Sequence, residues 1–413
     1  MTIQRIINEG LCIGCGLCAS LFPKKLQIEL SVGGLRPLEV ESLSDTEMAQ
    51  LYAVCPGVVH SGMPNDNVSQ SAIVDPVWGP IERICTAHAS SDTVRHKAAT
   101  GGALSAIAGY LVESNKVEAI MHVGASGVKP YFGHSVLSST ISEVNNNSGS
   151  IYASSSPLEQ IHKVLSSKIT VALIAKPCDI SAIRLLAKID PRVDKYIPYM
   201  LSPFCGGFFP PHSMNNFLVS INVSEKEVES VSYRGNGCPG PTTIKLKNGS
   251  AIEKSYLDFW GADSSQWHMP WRCRICPDGS GEASDISSGD TWPDCTPTEE
   301  MINNDLGTNA VIARTLKGAK LLQSALDSKH LTLDGESEAC DMDIWQPHLS
   351  KKKINAMARY EGMRSCGQNG LTTVDLRSEE LAQRLSVKEY KEELTGTKQR
   401  IINGKHSDSF EDN

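Results

Sequence analysis

The stretch TVALIAKPCDISAIRLLA, residues 170–187, joins two patterns that together indicate an α/β fold. Residues 170–175 form a short continuous apolar run, which is typical of a buried strand. Lys176-Pro177-Cys178 follows, and apolar side chains then recur at a helical spacing, at Ile180, Ile183, Leu186 and Ala187. A strand that passes through a tight turn into a helix is the unit of a βαβ sheet. Cys178 therefore lies just past the end of a predicted strand.

The same alternation of strands and helices extends to both sides of this stretch. The sequence predicts strands over 83–87, 119–123 and 197–201, and a helix over 102–113. That helix begins at Thr100-Gly101-Gly102, where we expect the Thr100 hydroxyl to cap the first turn. It carries one apolar stripe, formed by Leu104, Ile107, Ala108 and Leu111.

The chain divides into three parts. A cluster of turn-forming residues at 61–67 predicts a linker after a small N-terminal domain. We expect a small domain over 1–62, a larger α/β domain over 80–365, and a charged helical tail over 366–413. The predicted fold class is thus α/β, or mixed α+β, with a small N-terminal domain before a larger α/β domain.

Composition excludes several classes of protein. The 413 residues are 40% apolar and carry a net charge of −8, so nothing favours nucleic-acid binding. No apolar run reaches the roughly 18 residues that a membrane span needs, and no signal peptide is apparent, so we expect a cytoplasmic protein. Thirteen cysteines in a reducing compartment indicate metal or redox chemistry rather than disulfides.

Three of these cysteines lie within seven residues, in Cys12-Ile-Gly-Cys15-Gly-Leu-Cys18. This C-x-x-C-x-x-C run is the pattern that holds three irons of a cubane cluster. The expected fourth ligand is Cys55, which precedes a proline in Val54-Cys55-Pro56. Zinc is the alternative, although its sites generally use two separate C-x-x-C turns. We call Cys12, Cys15, Cys18 and Cys55 the N-terminal cysteine set.

A second group of cysteines follows predicted strands or lies in a loop. Cys178 and Cys205 each come just after a strand, where a parallel sheet opens its crevice. Cys273 and Cys276 form a C-x-x-C in a loop rich in Pro and Gly. We call Cys178, Cys205, Cys273 and Cys276 the inner cysteine set, and we expect it to hold a second 4Fe-4S cluster. Cys238 competes for a place in this set, and a zinc knuckle or a catalytic dithiol is the alternative for Cys273 and Cys276.

The glycine turn before the 102–113 helix is a candidate anion site. Unpaired N–H groups at a helix start favour a pyrophosphate, and nearby cations add charge. An ordinary capped turn is the simpler interpretation. Lys176, beside a predicted cluster ligand, is placed to favour a phosphate or a reduced flavin. The candidate cofactor-binding residues are Arg95, Lys97, Thr100, Gly101, Gly102 and Lys176.

These motifs resemble the coenzyme F420 hydrogenase/dehydrogenase beta-subunit family. The resemblance is carried by residues 95–102, 175–184, 204–205, 233–237 and 273–290, and covers roughly residues 1–350. It implies a ferredoxin-like, ferredoxin-type iron–sulfur domain over 1–62 and a flavin- and cluster-binding α/β oxidoreductase domain over 80–365, with FAD as the flavin. The family includes the 7-hydroxymethyl chlorophyll a reductases. It also matches the inner cysteine set and the 100–102 turn to the family's cluster and flavin segments. The stretch with Lys176 departs from the family's commoner Gly-Thr-Pro-Cys.

The sequence therefore predicts an oxidoreductase with two 4Fe-4S clusters and FAD. It would pass electrons between an external one-electron donor such as ferredoxin and a small organic substrate or coenzyme. One rival is an electron-transfer or F420-reducing beta subunit of a larger complex, and another is a non-catalytic zinc-stabilised binding protein. No catalytic residue is assigned, and a homo-oligomer is left open. The acid–base candidates are His88, His96, Asp179, Glu282, Asp285 and Asp290.

Overall fold

A mixed sheet of eight strands lies at the centre of the computed structural model, which describes residues 2–125, 129–261 and 269–408. The N-terminal part contains α1 (Ile3–Asn8), α2 (Leu17–Leu21), β1 (Leu26–Ser31), β2 (Gly34–Glu39), α3 (Asp45–Val54) and β3 (Val59–Ser61). Next come β4 (Ile73–Asp75), β5 (Gly79–Ile81), β6 (Arg83–Ala89), α4 (Asp92–Lys97), α5 (Ala103–Glu113), β7 (Ala119–Ala125), β8 (Gly133–Ser138), α6 (Ile141–Asn146), α7 (Ile161–Ser167), β9 (Val171–Ile174), α8 (Pro177–Ala187), α9 (Arg192–Tyr196) and β10 (Tyr199–Pro203).

The rest of the chain alternates in the same way. It contains α10 (Pro211–Ser220), β11 (Val228–Ser232), β12 (Thr242–Leu246), β13 (Ala251–Lys254), α11 (Tyr256–Trp260), α12 (Trp271–Arg274), β14 (Ile286–Asp290), α13 (Glu299–Asn304), β15 (Asn309–Ala313), α14 (Leu316–Asp327), β16 (Leu331–Glu336), α15 (Ala339–Trp345), α16 (Pro347–Ile354), α17 (Ala356–Arg364), β17 (Thr372–Val374), α18 (Ser378–Ala382) and α19 (Val387–Ile402). Short 3-10 helices lie at Asn65–Asn67, Glu225–Glu227 and Pro293–Cys295. Within the described ranges, no helix is both long and apolar enough to cross a membrane.

The central sheet has the strand order β16-β6-β15-β14-β10-β9-β7-β8. β14, β10, β9 and β7 are parallel neighbours, whereas β15 and β8 pair with this group in the opposite direction. β6 is antiparallel to β15, and so it shares the direction of the parallel strands. The carboxyl ends of five strands consequently meet at one edge, which is where α/β sheets bind ligands. The predicted mixed α/β fold is confirmed.

The stretch 170–187 forms the strand and helix that its pattern predicts. β9 is buried through Val171 and Leu173, and α8 places Ile180 and Ile183 in the same apolar cluster. Burial of each of these large side chains contributes about 1.5 to 3 kcal/mol. Pro177 occupies the first helical position, where its fixed φ suits a helix and its missing N–H is not needed. Cys178 therefore lies in the first turn of α8.

The strand predicted over 197–201 begins two residues later, at Tyr199. Ile197 is instead the C-cap of α9, because its N–H donates to the carbonyl of Val193. Apolar residues continue from the end of α9 into β10, and so the sequence pattern alone does not mark the boundary between the two elements.

The N-terminal part packs directly on the central sheet. β3 pairs in parallel with β17 from the C-terminal part, and the Ser61 N–H donates to the Ser181 Oγ in α8 at 2.7 Å. Leu158 N–H donates to the Cys15 carbonyl at 2.9 Å. The predicted linker at 61–67 thus begins at a residue that is hydrogen-bonded to the larger part.

The predicted charged tail forms α18 and α19. α19 buries Thr397 and Ile401, and its acidic and basic side chains lie on the remaining surface. Beyond the helix, the Asp408 carboxylate accepts two hydrogen bonds from Arg36 in β2, at 2.7 and 3.1 Å. The end of the described chain is therefore held against the N-terminal part.

Candidate functional site

A cavity of about 310 Å³ lies at the carboxyl edge of the parallel strands. Residues that end or follow four of these strands line it, as the strand directions require. They include Val123 in the second half of β7, Ala175 and Lys176 after β9, Phe204 and Cys205 after β10, and Gly289 and Asp290 at the end of β14. Its volume falls at the lower end of the range for small-molecule and cofactor sites.

Three of the six predicted cofactor-binding residues line this cavity, namely Thr100, Gly102 and Lys176. The other three do not. The Arg95 guanidinium donates to the Gly307 carbonyl at 2.8 Å, and the Lys97 amine lies 3.5 Å from the Asn146 side-chain oxygen. Arg95 and Lys97 are close to the glycine turn in sequence, but neither lines the cavity.

The start of α5 differs from the predicted capped turn. Gly102 is the N-cap, with φ of 75°, and the Thr100 hydroxyl bonds to Asp290 instead. The Asn309 side-chain oxygen, from the first residue of β15, accepts from the Ala103 N–H at 3.0 Å. A remote residue thus supplies the cap that sequence reasoning assigned to Thr100.

Gly101 belongs to the same turn but is not among the residues that line the cavity. A Cβ built on it would lie 2.9 Å from the Asn309 side-chain oxygen and 3.0 Å from the Thr308 Cα. The residue is therefore glycine because β15 approaches closely, which is a packing requirement. The close approach of β15 accounts for this glycine without a ligand, and its role as a ligand contact stays a prediction.

Arg234 is a residue of the cavity wall to which sequence reasoning gave no role. Its buried guanidinium donates to Asp290 and Tyr152 at 3.0 Å each, and to the Thr100 hydroxyl at 3.1 Å. It also lies over the rings of Trp292 and Tyr256, 4.8 and 5.2 Å from their centroids. The sequence feature that could have pointed to Arg234 is the Arg-Gly-Asn-Gly segment at 234–237, because its glycines and asparagine indicate a tight turn.

Two of the acid–base candidates line the cavity, Asp179 and Asp290. The others are placed elsewhere: His88 bonds to Asp334, while Glu282 and Asp285 form buried ion pairs with Lys353 and Arg184. His96 is not among the lining residues either. Asp179 is fully buried and has its carboxylate 2.7 Å from the Lys176 amine. Burial disfavours a charged amine, but Asp179 and the neighbouring thiols raise the pKa of Lys176 above its ordinary value.

The N-terminal cysteine set surrounds a small apolar cavity of its own, of about 30 Å³. All four cysteines line it, and the remaining wall is mostly aliphatic, with Ile3, Ile6 and Leu51. The turn at 12–18 is made possible by Gly14 and Gly16, which have φ of 67° and 83°. The Gly14 N–H lies 3.4 Å from the Cys12 sulfur, and N–H groups of Gly57 and Val58 bond to Cys55.

The thiols of this set lie close enough to one another to affect each other's pKa. Burial, followed by the neighbouring Cys12 thiol, raises the pKa of Cys55 to about 12. Burial likewise raises the pKa of Cys15, with contributions from Asp179, Cys18 and Cys55. Several thiolates in one apolar space are unfavourable without a cation, and bound iron or zinc supplies that cation.

The inner cysteine set converges beside the large cavity. Cys205 lines the cavity wall, and its N–H donates to the Gly279 carbonyl at 2.8 Å, which joins the 277–281 loop to the end of β10. A Cβ on Gly207 would lie 3.3 Å from the Cys273 Cβ, so the segment after Cys205 runs against α12. Burial raises the pKa of Cys205 to about 12, with Cys273 and Cys276 as the next contributors. Burial raises the pKa of Cys178 as well, and Asp179 and Cys205 add to that effect.

The chemistry of both sets fits an iron–sulfur cluster. Each offers four thiols with backbone N–H groups or cations close by, which are features that hold and tune such clusters. All thirteen cysteines are free. Among the described residues, no three His, Cys, Asp or Glu side chains are grouped closely enough to hold a single metal ion.

Cys238 lies apart from the inner set. Its thiol donates to Asp305 at 3.6 Å, and the charged groups that act on it are Asp305, Asp290 and Arg234. Of the remaining cysteines, Cys295 lines the large cavity, Cys85 is buried in the sheet, and Cys340 is exposed. The division of eight cysteines into two ligand sets stays a prediction, with Cys238 placed beside Asp305.

Comparison with known protein families identifies the class to which this chain belongs. Models of the N-terminal and C-terminal parts of the coenzyme F420 hydrogenase/dehydrogenase beta subunit match residues 84–163 and 169–339, well over half of the chain. The chain belongs to the coenzyme F420 hydrogenase/dehydrogenase beta-subunit family.

Curated relatives agree with this assignment. The chain is 25% identical over 239 residues to F420-dependent formate dehydrogenase 1 subunit beta of Methanococcus maripaludis, an alignment that covers 57% of each chain. It is 22% identical over 334 residues to coenzyme F420-dependent sulfite reductase of Methanocaldococcus jannaschii, covering 77% of this chain and 46% of the relative. The chain therefore spans about half the length of these curated relatives. Both relatives are oxidoreductases or their subunits.

A solved structure has the same fold. A chain of the F420-reducing [NiFe] hydrogenase complex from Methanosarcina barkeri superimposes with a TM-score of 0.55 at 19% identity. The match covers 72% of this chain and 98% of the other. At this identity the likeness concerns the fold alone.

Proposed function

We propose that this chain is an FAD- and iron–sulfur-dependent oxidoreductase that passes electrons from a one-electron donor such as ferredoxin to a small organic substrate. The observation that carries the proposal is the arrangement of the cysteines. Two sets of four thiols adjoin one another, and the inner set reaches the wall of a cofactor-sized cavity through Cys205. When bound, the clusters would supply one-electron transfer and the flavin would couple it to two-electron chemistry.

The two cysteine sets are the proposed cluster ligands. Cys12, Cys15, Cys18 and Cys55 would hold the outer cluster, and Cys178, Cys205, Cys273 and Cys276 the inner one. Asp179 supports their adjacency, because its carboxylate acts on both Cys15 and Cys178. The short path between the sets favours electron transfer through the protein to the large cavity.

The start of α5 is the proposed pyrophosphate site of FAD. Gly102, Leu104 and Ser105 line the cavity, and the N–H groups of Leu104 and Ser105 form no hydrogen bond to any other described residue. They are unpaired donors at the positive end of an eleven-residue helix, an arrangement that favours phosphate oxygens. Lys176, which also lines the cavity, would place a positive charge beside the flavin.

The polar atoms of the cavity wall also suit a hydrogen-bonding ligand. The Ser288 hydroxyl and the Arg234 Nε, both buried, form no hydrogen bond within the described part of the chain. Unsatisfied buried groups are unfavourable, and a ligand with matching donors and acceptors would satisfy them.

Single cysteine replacements test the order of the clusters. Cys15→Ser should lose about half of the iron and prevent reduction by an external one-electron donor, while FAD stays bound. Cys276→Ser should lose iron and also much of the FAD affinity, because its loop adjoins the cavity. Cys340→Ser, at an exposed thiol, is the matched control and should change neither count. Equal flavin loss in the two variants would contradict the proposed order.

A glycine replacement tests the pyrophosphate site. Gly102→Val should weaken FAD retention and leave the iron count unchanged, because the N-cap lies on the cavity wall. Gly101→Val is the comparison: it should lower stability, since its side chain would strike Asn309 and Thr308. Full FAD retention by a folded Gly102→Val protein would show that this turn is only a helix cap. The strained φ at Gly102 requires that folding be verified by circular dichroism.

A second candidate function keeps the cofactors but makes the chain a coenzyme F420-reducing or electron-transfer subunit of a larger complex. The observation that favours it is the set of relatives, among which are a formate dehydrogenase beta subunit and a chain of a hydrogenase complex. Copurification with a dehydrogenase or hydrogenase subunit from the native host would support it. F420 reduction by the isolated chain with a one-electron donor would favour a stand-alone enzyme.

The zinc-stabilised binding protein remains the alternative outside redox chemistry. It would bind metal at the same thiols but absorb no visible light. A colourless zinc-containing protein after anaerobic purification would favour it over both redox proposals.

A further inference from the structure

A buried arginine lies between the two cysteine sets. Arg272 is 1% exposed and belongs to α12, directly before Cys273. Its Nε donates to the Pro56 carbonyl at 3.0 Å, and Pro56 directly follows Cys55. One side chain therefore joins the ligand loop of the N-terminal set to the ligand loop of the inner set.

The guanidinium also acts on thiols of both sets. It hydrogen-bonds to the Cys276 sulfur and interacts electrostatically with Cys178, both in the inner set. Its positive charge acts in the same way on Cys55 of the N-terminal set. The geometry thus puts one fixed charge within electrostatic range of both proposed clusters.

The remaining partner of Arg272 is neutral. Its Nη2 lies 2.9 Å from the His60 Nδ1, and a guanidinium has only donors, so Nδ1 must accept. That hydrogen bond requires a neutral His60 ring with its proton on Nε2. His60 therefore orients the guanidinium without balancing its charge.

Within residues 2–125, 129–261 and 269–408, no carboxylate forms an ion pair with Arg272. Three other buried arginines do form such pairs: Arg36 with Asp408, Arg184 with Asp285, and Arg234 with Asp290. Arg314, also buried and without an ion pair among the described residues, instead donates to backbone carbonyls that include that of Ser280. A buried charge without a counterion is strongly unfavourable. The anions within reach of Arg272 are the thiolates of the two cysteine sets. A negative charge at those sites would offset the cost of burying the guanidinium.

We propose that Arg272 is a positioning residue shared by the two clusters, which holds their ligand loops together and favours the reduced state of both. The proposal rests on the proposed function, because it requires both clusters. Each cluster becomes more negative by one charge when it accepts an electron, and a nearby buried cation stabilises that charge. One residue would thereby raise the reduction potentials of both clusters together.

The test is a redox titration of the holoenzyme followed by electron paramagnetic resonance. Arg272→Gln should move both potentials to more negative values, so that the ratio of reduced to oxidised cluster at fixed potential falls about tenfold, or about 59 mV. Lys352→Gln is the matched control. The Lys352 amine donates to the Gly206 carbonyl at 2.7 Å and acts on Cys205, Cys273 and Cys276, so its loss should shift the inner cluster alone.

A conservative variant separates charge from structure. Arg272→Lys keeps the positive charge and should return both potentials toward the wild-type values, although it loses the forked hydrogen bonds. A Lys variant that shifts as far as the Gln variant would overturn the electrostatic role. An iron-replete Arg272→Gln protein with one potential or neither changed would overturn the shared role.

The wild-type protein provides a measurement that does not depend on variant folding. Because one guanidinium reaches both sets, the fully reduced protein should show magnetic interaction between two clusters. Two magnetically isolated clusters would overturn the inference about Arg272 while leaving the proposed function intact. A wild-type protein with fewer than two clusters would instead contradict the proposed function.

Discussion

Arg234 shows how much a single side chain contributes to the cavity wall. Its guanidinium satisfies Asp290, the Thr100 hydroxyl and the Tyr152 hydroxyl at once, and it stacks on Trp292. Arg234→Gln would leave the Asp290 carboxylate without its counterion, and we expect the free energy of unfolding to fall by about 3 to 5 kcal/mol. Urea denaturation measures this. Arg234→Lys keeps the charge and should recover part of the loss, and an unchanged stability in the Gln variant would contradict the described contacts.

His122 gives the cavity wall a pH dependence. Burial lowers the pKa of His122 to about 4, compared with about 6.5 in an unfolded chain. Between these values the unfolded chain binds more protons than the folded protein, so the free energy of unfolding falls as the pH falls.

His122→Gln removes this difference and retains a polar partner for Ser138. Relative to wild type, its free energy of unfolding should rise by up to about 3 kcal/mol between about pH 7 and about pH 4. Denaturant unfolding at a series of pH values measures the change, with His134→Gln on β8 as the control for replacing a histidine in this hairpin. Parallel curves for wild type and His122→Gln would disprove the account.

Among the elements, α5 depends on a residue from a distant strand. The Asn309 side-chain oxygen caps its first turn, and the amide nitrogen donates to the Gly289 carbonyl at 3.3 Å. Asn309→Ala should lower the free energy of unfolding by about 1 to 2 kcal/mol, the usual cost of losing an N-cap. Asn309→Asp keeps the acceptor and should recover much of it. Thermal unfolding of both variants in the same cofactor state is the measurement, and equal loss would argue against a capping role.

Elements with strong local patterns were predictable from the sequence. β9 and α8 follow from an apolar run and a helical stripe, and the Cys12 to Cys18 turn from its spacing and glycines. The antiparallel strands β15 and β16 were not predicted, because their partners are far away in sequence. The same is true of the Asn309 cap and of the contacts of Arg234, since side chains that meet across the sheet leave no periodic signal.

At the scale of the whole molecule, buried ion pairs join the parts of the chain. The Glu282 carboxylate is fully buried and pairs with Lys353 of α16 and, at 2.6 Å, with Arg377 near α18. Glu282→Gln would leave two cations without this counterion and should lower the free energy of unfolding by about 3 to 5 kcal/mol.

The exposed pair of Glu336 with Arg83 supplies the comparison for Glu282. Glu336→Gln should lower the free energy of unfolding by less than about 1 kcal/mol, because water already screens that pair. Urea denaturation of both variants decides the point. Similar effects in the two would show that the Glu282 network does not hold the parts together.

The C-terminal end provides a second long-range contact. Asp408 pairs with Arg36, and a Cβ on Gly33 would lie 2.2 Å from the Asp408 carboxyl carbon. Asp408→Asn should loosen the hairpin of β1 and β2 and speed its hydrogen exchange, while exchange in β9 stays unchanged. The sequence showed a charged tail but not this contact, because its two members are separated by 372 residues.

The most direct test of the account is a count of cofactors in the protein purified without oxygen. Two cysteine sets of four and one cavity at the sheet edge predict about eight iron and eight sulfide ions per chain, together with one FAD. Iron near half of that value with zinc making up the remainder, or a folded protein that contains no flavin, would contradict the central claim.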